Sequence, residues 1–180
     1  MFRTLVGCTL ALLAASATVH SQSPYVGQES REIKTLSPQE ISDYLSGKGM
    51  GLAKAAELNG YPGPAHVLEL AAQLDLTPEQ KTKTEVLFKK MQARAIPLGK
   101  ELVEEERALD RLFASRAVNS ESLGQALARI GRLQGQVRQV HLDAHVEQTA
   151  LLTPTQVEKY NRLRGYGMTG EQETHQPRQH

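Results

Sequence analysis

The chain has 180 residues, a formal net charge of +1, 39% hydrophobic residues and 4% aromatic residues. That length suits one domain with tails, and 21 basic residues against 20 acidic ones lack the basic excess of a nucleic-acid-binding protein. The single cysteine, Cys8, excludes a disulfide framework and a paired-cysteine metal site. A core without tryptophan must be mainly aliphatic, which favours an all-α fold.

The first residues predict an export signal. Arg3 precedes an uncharged apolar run over residues 4–19, and small residues lead to a cleavage site after Ser21. An uncleaved anchor is the alternative, but a helix over this run would span about 24 Å, less than a hydrocarbon core of about 30 Å. We therefore expect residues 1–21 to be removed, which leaves a periplasmic protein without cysteine and without membrane insertion.

The next stretch predicts a linker and then two short helical segments. Residues 22–35 are polar and aperiodic, which is typical of a linker. A capping box at residues 37–40 begins a helix to about Leu58, and we expect three interior glycines to leave it loose or broken. A turn rich in Pro and Gly over residues 59–64 precedes a short helix over residues 65–74.

Two long amphipathic helices follow. The first begins after the cap Thr77 and carries Pro97 in its interior, where proline should kink it. The second begins at Asn119 or Ser120, and its apolar residues recur at helical spacing. An antiparallel hairpin would place residue i opposite about residue 235 − i. A hairpin about 50 Å long cannot bury both faces alone, so it needs the short helices or a second copy, and we expect a homodimer.

The C-terminal part predicts one more helix and a tail. Thr153 and the proline after it begin a short helix that Gly165 ends. Residues 166–180 hold almost nothing apolar and predict a disordered tail. The folded domain is therefore expected to cover residues 36–165.

A five-residue motif occurs twice, as LTPEQ at residues 76–80 and as LTPTQ at residues 152–156. In each copy Leu anchors the preceding element, Thr caps a helix, Pro starts it and Gln closes a capping box. The motif residues are Leu76, Thr77, Gln80, Leu152, Thr153 and Gln156.

The repeated motif, the export signal and the long hairpin together resemble the LTxxQ family of bacterial periplasmic proteins. This family includes the Spy and CpxP chaperone and stress proteins, the zinc-resistance-associated proteins and the periplasmic heavy-metal sensors. The resemblance covers about residues 36–165 and implies a helical hairpin that dimerises into a curved cradle. The best-known chaperone members carry a basic concave face, whereas this chain without Arg3 has 20 basic and 20 acidic residues.

A pair of histidines is the candidate metal site. His141 and His145 are four residues apart on the second long helix, so their side chains point to the same side, where two imidazoles can hold Zn, Ni or Cu. The hairpin register places them across from Met91, a soft ligand that favours copper(I), and His66 is a further candidate. The alternative is that His141 is a half-buried core residue and Met91 is ordinary packing.

Three functions follow from these observations, and none of them is enzymatic, because no nucleophile arrangement or phosphate-binding loop occurs. The first expectation is an ATP-independent chaperone or envelope-stress protein of the Spy/CpxP type that binds unfolded envelope proteins. The second is a heavy-metal sensor or resistance protein that uses His141 and His145. The third is a regulator that docks on a membrane-bound stress sensor. Candidate client contacts, which could equally form a dimer core, are Leu98, Leu102, Leu127 and Ile130.

Overall fold

The computed structural model describes residues 23–166, so the predicted export signal and residues 167–180 of the predicted tail lie outside the described residues. The described part is all-helical and contains no strand, which confirms the predicted fold class. None of its helices is long and apolar enough to cross a membrane. Its elements are α1 (Pro38–Leu45), α2 (Lys54–Glu57), α3 (Pro64–Glu69), α4 (Pro78–Ala114), α5 (Ser120–Leu151) and α6 (Pro154–Leu163).

Capping boxes begin four of these helices at the residues that the sequence predicts. The side chains of Ser37, Thr77, Asn119 and Thr153 each accept a hydrogen bond from the backbone N–H three residues later, and the side chain of that later residue bonds back to the cap. These bonds satisfy backbone donors that a helix start leaves unpaired. The starts of these four helices therefore follow from local hydrogen bonding.

Helices α4 and α5 form the predicted antiparallel hairpin, and their contacts confirm its register. Arg129 Nε donates to Glu105 Oε2 at 2.8 Å, and Gln148 Nε2 donates to Thr84 Oγ1 at 3.2 Å, pairs whose numbers sum to 234 and 232. Aliphatic residues from both helices fill the space between them. The two core clusters of the hairpin consist of Leu87, Met91, Ala95, Val140 and Ala144, and of Leu102, Ile130 and Leu133.

The predicted N-terminal helix is broken where its glycines occur. Helix α1 ends at Leu45, and Gly47 and Gly51 then adopt positive φ angles of 67° and 76°, which glycine adopts without the steric cost of a side chain. The chain turns there instead of continuing to Leu58, and α2 is a separate short helix. Helix α1 itself crosses α4 at Gly99, where a side chain would clash with the backbone carbonyl oxygen of Tyr44.

The segment predicted as a linker packs against α4. Ile33 has no exposed surface and contacts Val103, while Thr35 Oγ1 donates to the buried carboxylate of Glu106 at 3.0 Å. Lys34 forms an ion pair with Asp110 at 3.1 Å. The segment forms turns without a helix, but the burial of its few apolar side chains ties it to the hairpin.

The C-terminal helix covers the open end of the hairpin beside α3. Tyr160 is fully buried with Val67 and Leu74, and Tyr166 packs at the edge of this cluster. The predicted tail therefore begins one residue too early, because Tyr166 is half-buried and its hydroxyl donates a hydrogen bond to Glu57 at 3.0 Å. This packing places Tyr166, the last described residue, next to α2.

Candidate functional site

A cavity of about 530 Å³ lies where the glycine-rich turn, α2 and the start of α3 meet the hairpin. Helix α4 contributes Phe88, Met91 and Gln92 to its wall, while α5 and the C-terminal end contribute only polar side chains. The polar and sulfur-bearing side chains that line it include Met50, Glu57, His66, Met91, His141, His145, Arg164 and Tyr166. The structure thus brings together every residue that the sequence predicts as a metal ligand.

The hydrogen bond of His145 determines which of its ring nitrogens is free. Its Nδ1 lies 2.7 Å from the backbone carbonyl oxygen of Tyr61. A carbonyl oxygen only accepts hydrogen bonds, so Nδ1 carries a proton, and in the neutral form of the ring Nε2 holds the lone pair. Metal-binding histidines commonly donate their second ring N–H to a carbonyl or carboxylate in this way.

Gly63 leaves space beside that lone pair. A β-carbon built on Gly63 would lie 2.8 Å from both Nε2 and Cε1 of His145, closer than real side chains approach. The residue is also the N-cap of α3, with φ −85° and ψ 145°, a conformation that needs no glycine. The absence of a side chain therefore serves the surroundings of His145 and not the backbone.

His141 is buried on the same side of α5. It is 3% exposed, and its Nε2 has no hydrogen-bond partner within residues 23–166. Burial lowers the pKa of His141 below its ordinary value, and the neighbouring His145 lowers it further, so the ring is neutral at pH 7. Because a metal ligand must be a neutral imidazole with a free lone pair, this side chain has the protonation state that metal binding requires.

Glu57 connects the cavity to the C-terminal end. Its Oε1 accepts hydrogen bonds from the hydroxyls of Tyr160 at 2.6 Å and Tyr166 at 3.0 Å. Arg164 Nε and His66 Nδ1 lie 3.4 Å and 3.6 Å from the same oxygen. Glu57 is 8% exposed, and the two hydroxyl donors and the guanidinium of Arg164 stabilise its negative charge.

The two other predicted ligands have different surroundings. Met91 lines the cavity but is 8% exposed and belongs to the core cluster of α4 and α5. His66 is half-exposed, and its Nδ1 lies 3.4 Å from the hydroxyl of Tyr160. Over residues 23–166, no three His, Cys, Asp or Glu side chains form a group arranged to hold a metal ion. The histidine pair on α5 is therefore the centre of the candidate site.

The predicted client contacts lie elsewhere on the hairpin. Leu102 and Ile130 are 1% and 5% exposed and form part of the hairpin core, with Leu98 half-buried beside them. Leu127 is 50% exposed on α5. Leu127 is therefore the most exposed of the four residues.

The profile of the heavy-metal resistance family matches residues 50–159, more than half of the chain. The chain belongs to this family. The family includes the Spy/CpxP-like LTxxQ proteins, so the resemblance drawn from the repeated motif is confirmed, and its members are typically exported. No curated protein and no solved structure matches the chain significantly.

In this heavy-metal resistance family member, sequence reasoning finds the histidine pair but misses its acidic and C-terminal neighbours. No motif or spacing in the sequence distinguishes these neighbours from ordinary surface residues; they are Glu57, Tyr160, Arg164 and Tyr166. The contacts among them join residues about a hundred positions apart, so no local pattern in the sequence indicates them.

Proposed function

We propose that this protein binds a heavy-metal ion in the cavity through Nε2 of His141 and Nε2 of His145, as a resistance or sensor protein outside the cytoplasm. The observation that supports this most strongly is the buried Nε2 of His141, which lacks a hydrogen-bond partner among residues 23–166. A buried polar atom without a partner costs about 1–3 kcal/mol. A bound cation would satisfy it.

The two histidine side chains are ligands that heavy-metal ions commonly bind. Two imidazoles one helical turn apart can hold Zn, Ni or Cu, and water would complete the coordination, because Met91 is packed in the hairpin core. Two groups also hold His145 from its other nitrogen. The backbone carbonyl oxygen of Tyr61 lies 2.7 Å from its Nδ1, and Oε2 of Glu57 lies 3.7 Å from the same atom. Such contacts orient the ring and raise its basicity. The protein needs no catalytic step for this role.

Isothermal titration of Zn²⁺, Ni²⁺ and Cu⁺ into the purified protein tests the proposal. We expect binding at one site that the His141→Ala, His145→Ala double variant loses. The His175→Ala, His180→Ala variant is the matched control, since it removes the same number of histidines from a distant part of the sequence and should bind like the parent. Binding that survives the first pair of substitutions, or no binding at all, would contradict the proposed site.

A second candidate function is ATP-independent binding of unfolded envelope proteins. Exposed apolar side chains on the hairpin favour it, since Val86, Phe113, Leu127 and Val146 are each at least half-exposed. The protein should then suppress aggregation of reduced α-lactalbumin without ATP, and Leu127→Ser should weaken this more than Leu163→Ser, a matched change of an exposed leucine on α6. Equal effects of the two variants would argue against a client surface on α5.

Export with a cleaved signal, homodimerisation and docking on a membrane-bound stress sensor stay predictions from the sequence. Mass spectrometry of the protein purified from the periplasm would identify the cleavage after Ser21. Sedimentation equilibrium would give the number of subunits. None of these three properties is needed for the histidine pair to bind an ion.

A further inference from the structure

The carboxylate of Glu57 has one satisfied oxygen and one unsatisfied oxygen. Its Oε1 accepts two tyrosine hydroxyl hydrogen bonds, whereas its buried Oε2 has no hydrogen-bond partner in the described part of the chain. That Oε2 lies 3.7 Å from Nδ1 of His145. The unsatisfied oxygen therefore lies nearest to Nδ1 of His145, across the imidazole ring from the Nε2 that is free to bind an ion, and Glu57 lines the same cavity.

Arg164 is the present counter-ion of this carboxylate. Its Nε lies 3.4 Å from Oε1 of Glu57, and its side chain is 32% exposed. The other cations that line the cavity are lysines: Lys48 pairs with Asp43 at 2.9 Å, and Lys54 is exposed. The remaining charged or titratable neighbours of Glu57 are His66 and His145. The guanidinium is thus the fixed positive charge nearest to Glu57.

We propose that Glu57 is the charge partner of the bound ion, that its charge makes the site favour a divalent ion over Cu⁺, and that Arg164 competes with the ion for this carboxylate. The inference rests on the proposed metal site at His141 and His145. Glu57 acts through its charge and does not have to coordinate the ion. An ion at Nε2 of His145 and the guanidinium of Arg164 would both attract this carboxylate, so Arg164 weakens the attraction between Glu57 and the ion.

The preference follows from Coulomb's law. The attraction of a carboxylate for an ion scales with the charge of the ion, so it is twice as strong for a divalent as for a monovalent ion at the same position. Burial of Glu57 reduces screening and enlarges this difference. Met91, the ligand type that would favour Cu⁺, is packed against Leu87 and Val140 in the hairpin core and does not offset it.

The experiment measures dissociation constants of Zn²⁺ and, under reducing anaerobic conditions, of Cu⁺ by competition with chelators. Glu57→Gln keeps the size of the side chain and removes its charge, so we expect Zn²⁺ affinity to fall at least about tenfold. Cu⁺ affinity should fall by about the square root of that factor, because its charge is half as large. Arg164→Gln should instead raise Zn²⁺ affinity, by about three- to fivefold for a partly exposed pair.

Two control variants separate the local charge from a general charge effect. Asp143→Asn removes a carboxylate of α5 that pairs with Arg94 and does not line the cavity. Arg162→Gln removes an exposed cation at the end of α6 that also does not line it. Both should leave the ratio of the Zn²⁺ and Cu⁺ constants unchanged, and circular dichroism should show parental helix content in all four variants.

The test depends on the opposite effects of Glu57→Gln and Arg164→Gln on Zn²⁺ affinity, because damage to the fold would weaken Zn²⁺ binding in both variants. If both variants weaken Zn²⁺ binding, or neither changes it while the His141→Ala, His145→Ala variant abolishes it, the charge-partner proposal is overturned and the histidine site remains. If no ion binds through the histidines, the proposed metal site itself fails, and this inference fails with it.

Discussion

Gln80 and Gln156 exchange a pair of side-chain hydrogen bonds across the base of the hairpin. Gln80 Nε2 donates to Gln156 Oε1 at 2.8 Å, and Gln156 Nε2 donates to Gln80 Oε1 at 3.0 Å. Each amide also donates to a backbone carbonyl of the neighbouring connection, that of Leu151 or Leu74. The last residues of the two LTxxQ motifs therefore join the starts of α4 and α6 to each other.

We expect Gln80→Ala and Gln156→Ala each to lower the free energy of unfolding by about 1–3 kcal/mol, since each removes the paired hydrogen bonds and the donor to one part-buried backbone carbonyl. The double variant should lose less unfolding free energy than the sum of the two single losses, because the first substitution already breaks the hydrogen bonds that the two glutamines share. Urea unfolding followed by circular dichroism measures all three. Gln134→Ala, at an exposed position of α5, is the control and should stay within about 0.5 kcal/mol of the parent. Additive losses would show that the two glutamines do not act as a pair.

A second prediction concerns the crossing of α1 over α4. Gly99→Ala places a methyl group against the carbonyl oxygen of Tyr44, so α1 must shift and unfolding should become easier by about 1–3 kcal/mol. Gly135→Ala is the matched control, because nothing lies within 4 Å of its added carbon, and it should stabilise the helix by about 0.5–1 kcal/mol. Thermal melts compare the two. Stabilisation by both substitutions would mean that α1 does not contact α4 at this point.

The buried histidine predicts a dependence of stability on pH. The pKa of His141 is lowered in the folded protein, first by burial and then by His145, so below a pH of about 6.5 the unfolded chain binds the proton more readily than the folded one. The contribution of this residue to stability is present above that pH and is lost as pH falls toward the lowered pKa. Unfolding free energies measured from pH 8 to pH 5 should therefore fall less steeply in His141→Gln than in the parent. If the unfolding free energies of the two proteins changed with pH in parallel, a lowered pKa of His141 would be contradicted.

Gly63→Ala tests the space beside His145 without removing a ligand. The new methyl group would crowd Nε2 and Cε1 of the ring, so the ring must move, and Zn²⁺ should bind at least about tenfold more weakly. The rise in melting temperature that Zn²⁺ produces by binding the folded state should shrink accordingly. Gly131→Ala, whose added carbon would lie in open space, should retain the parental rise. An unchanged response in Gly63→Ala would place the ion away from this nitrogen.

The starts of the four capped helices and the hairpin could be predicted from the sequence, since both depend on local chemistry. A cap such as Thr77 bonds a residue three positions away, and the apolar spacing of α4 and α5 orients each helix by itself. The pairing of Glu105 with Arg129 follows once a turn is placed between the helices. The histidine pair is likewise local, because four residues of helix bring two side chains to one side.

The surroundings of that pair depend on the tertiary structure alone. Glu57 meets Tyr160 and Arg164 because α2 and α6 both pack at the same end of the hairpin, and packing between elements so distant in the chain leaves no periodic trace in the sequence. The same is true of Ile33, whose burial on α4 turns a predicted linker into a packed segment. The sequence by itself determined that His141 and His145 share one side of α5, while only the fold decided that Nε2 of His141 is buried with no hydrogen-bond partner among residues 23–166 and that a carboxylate lies beside His145.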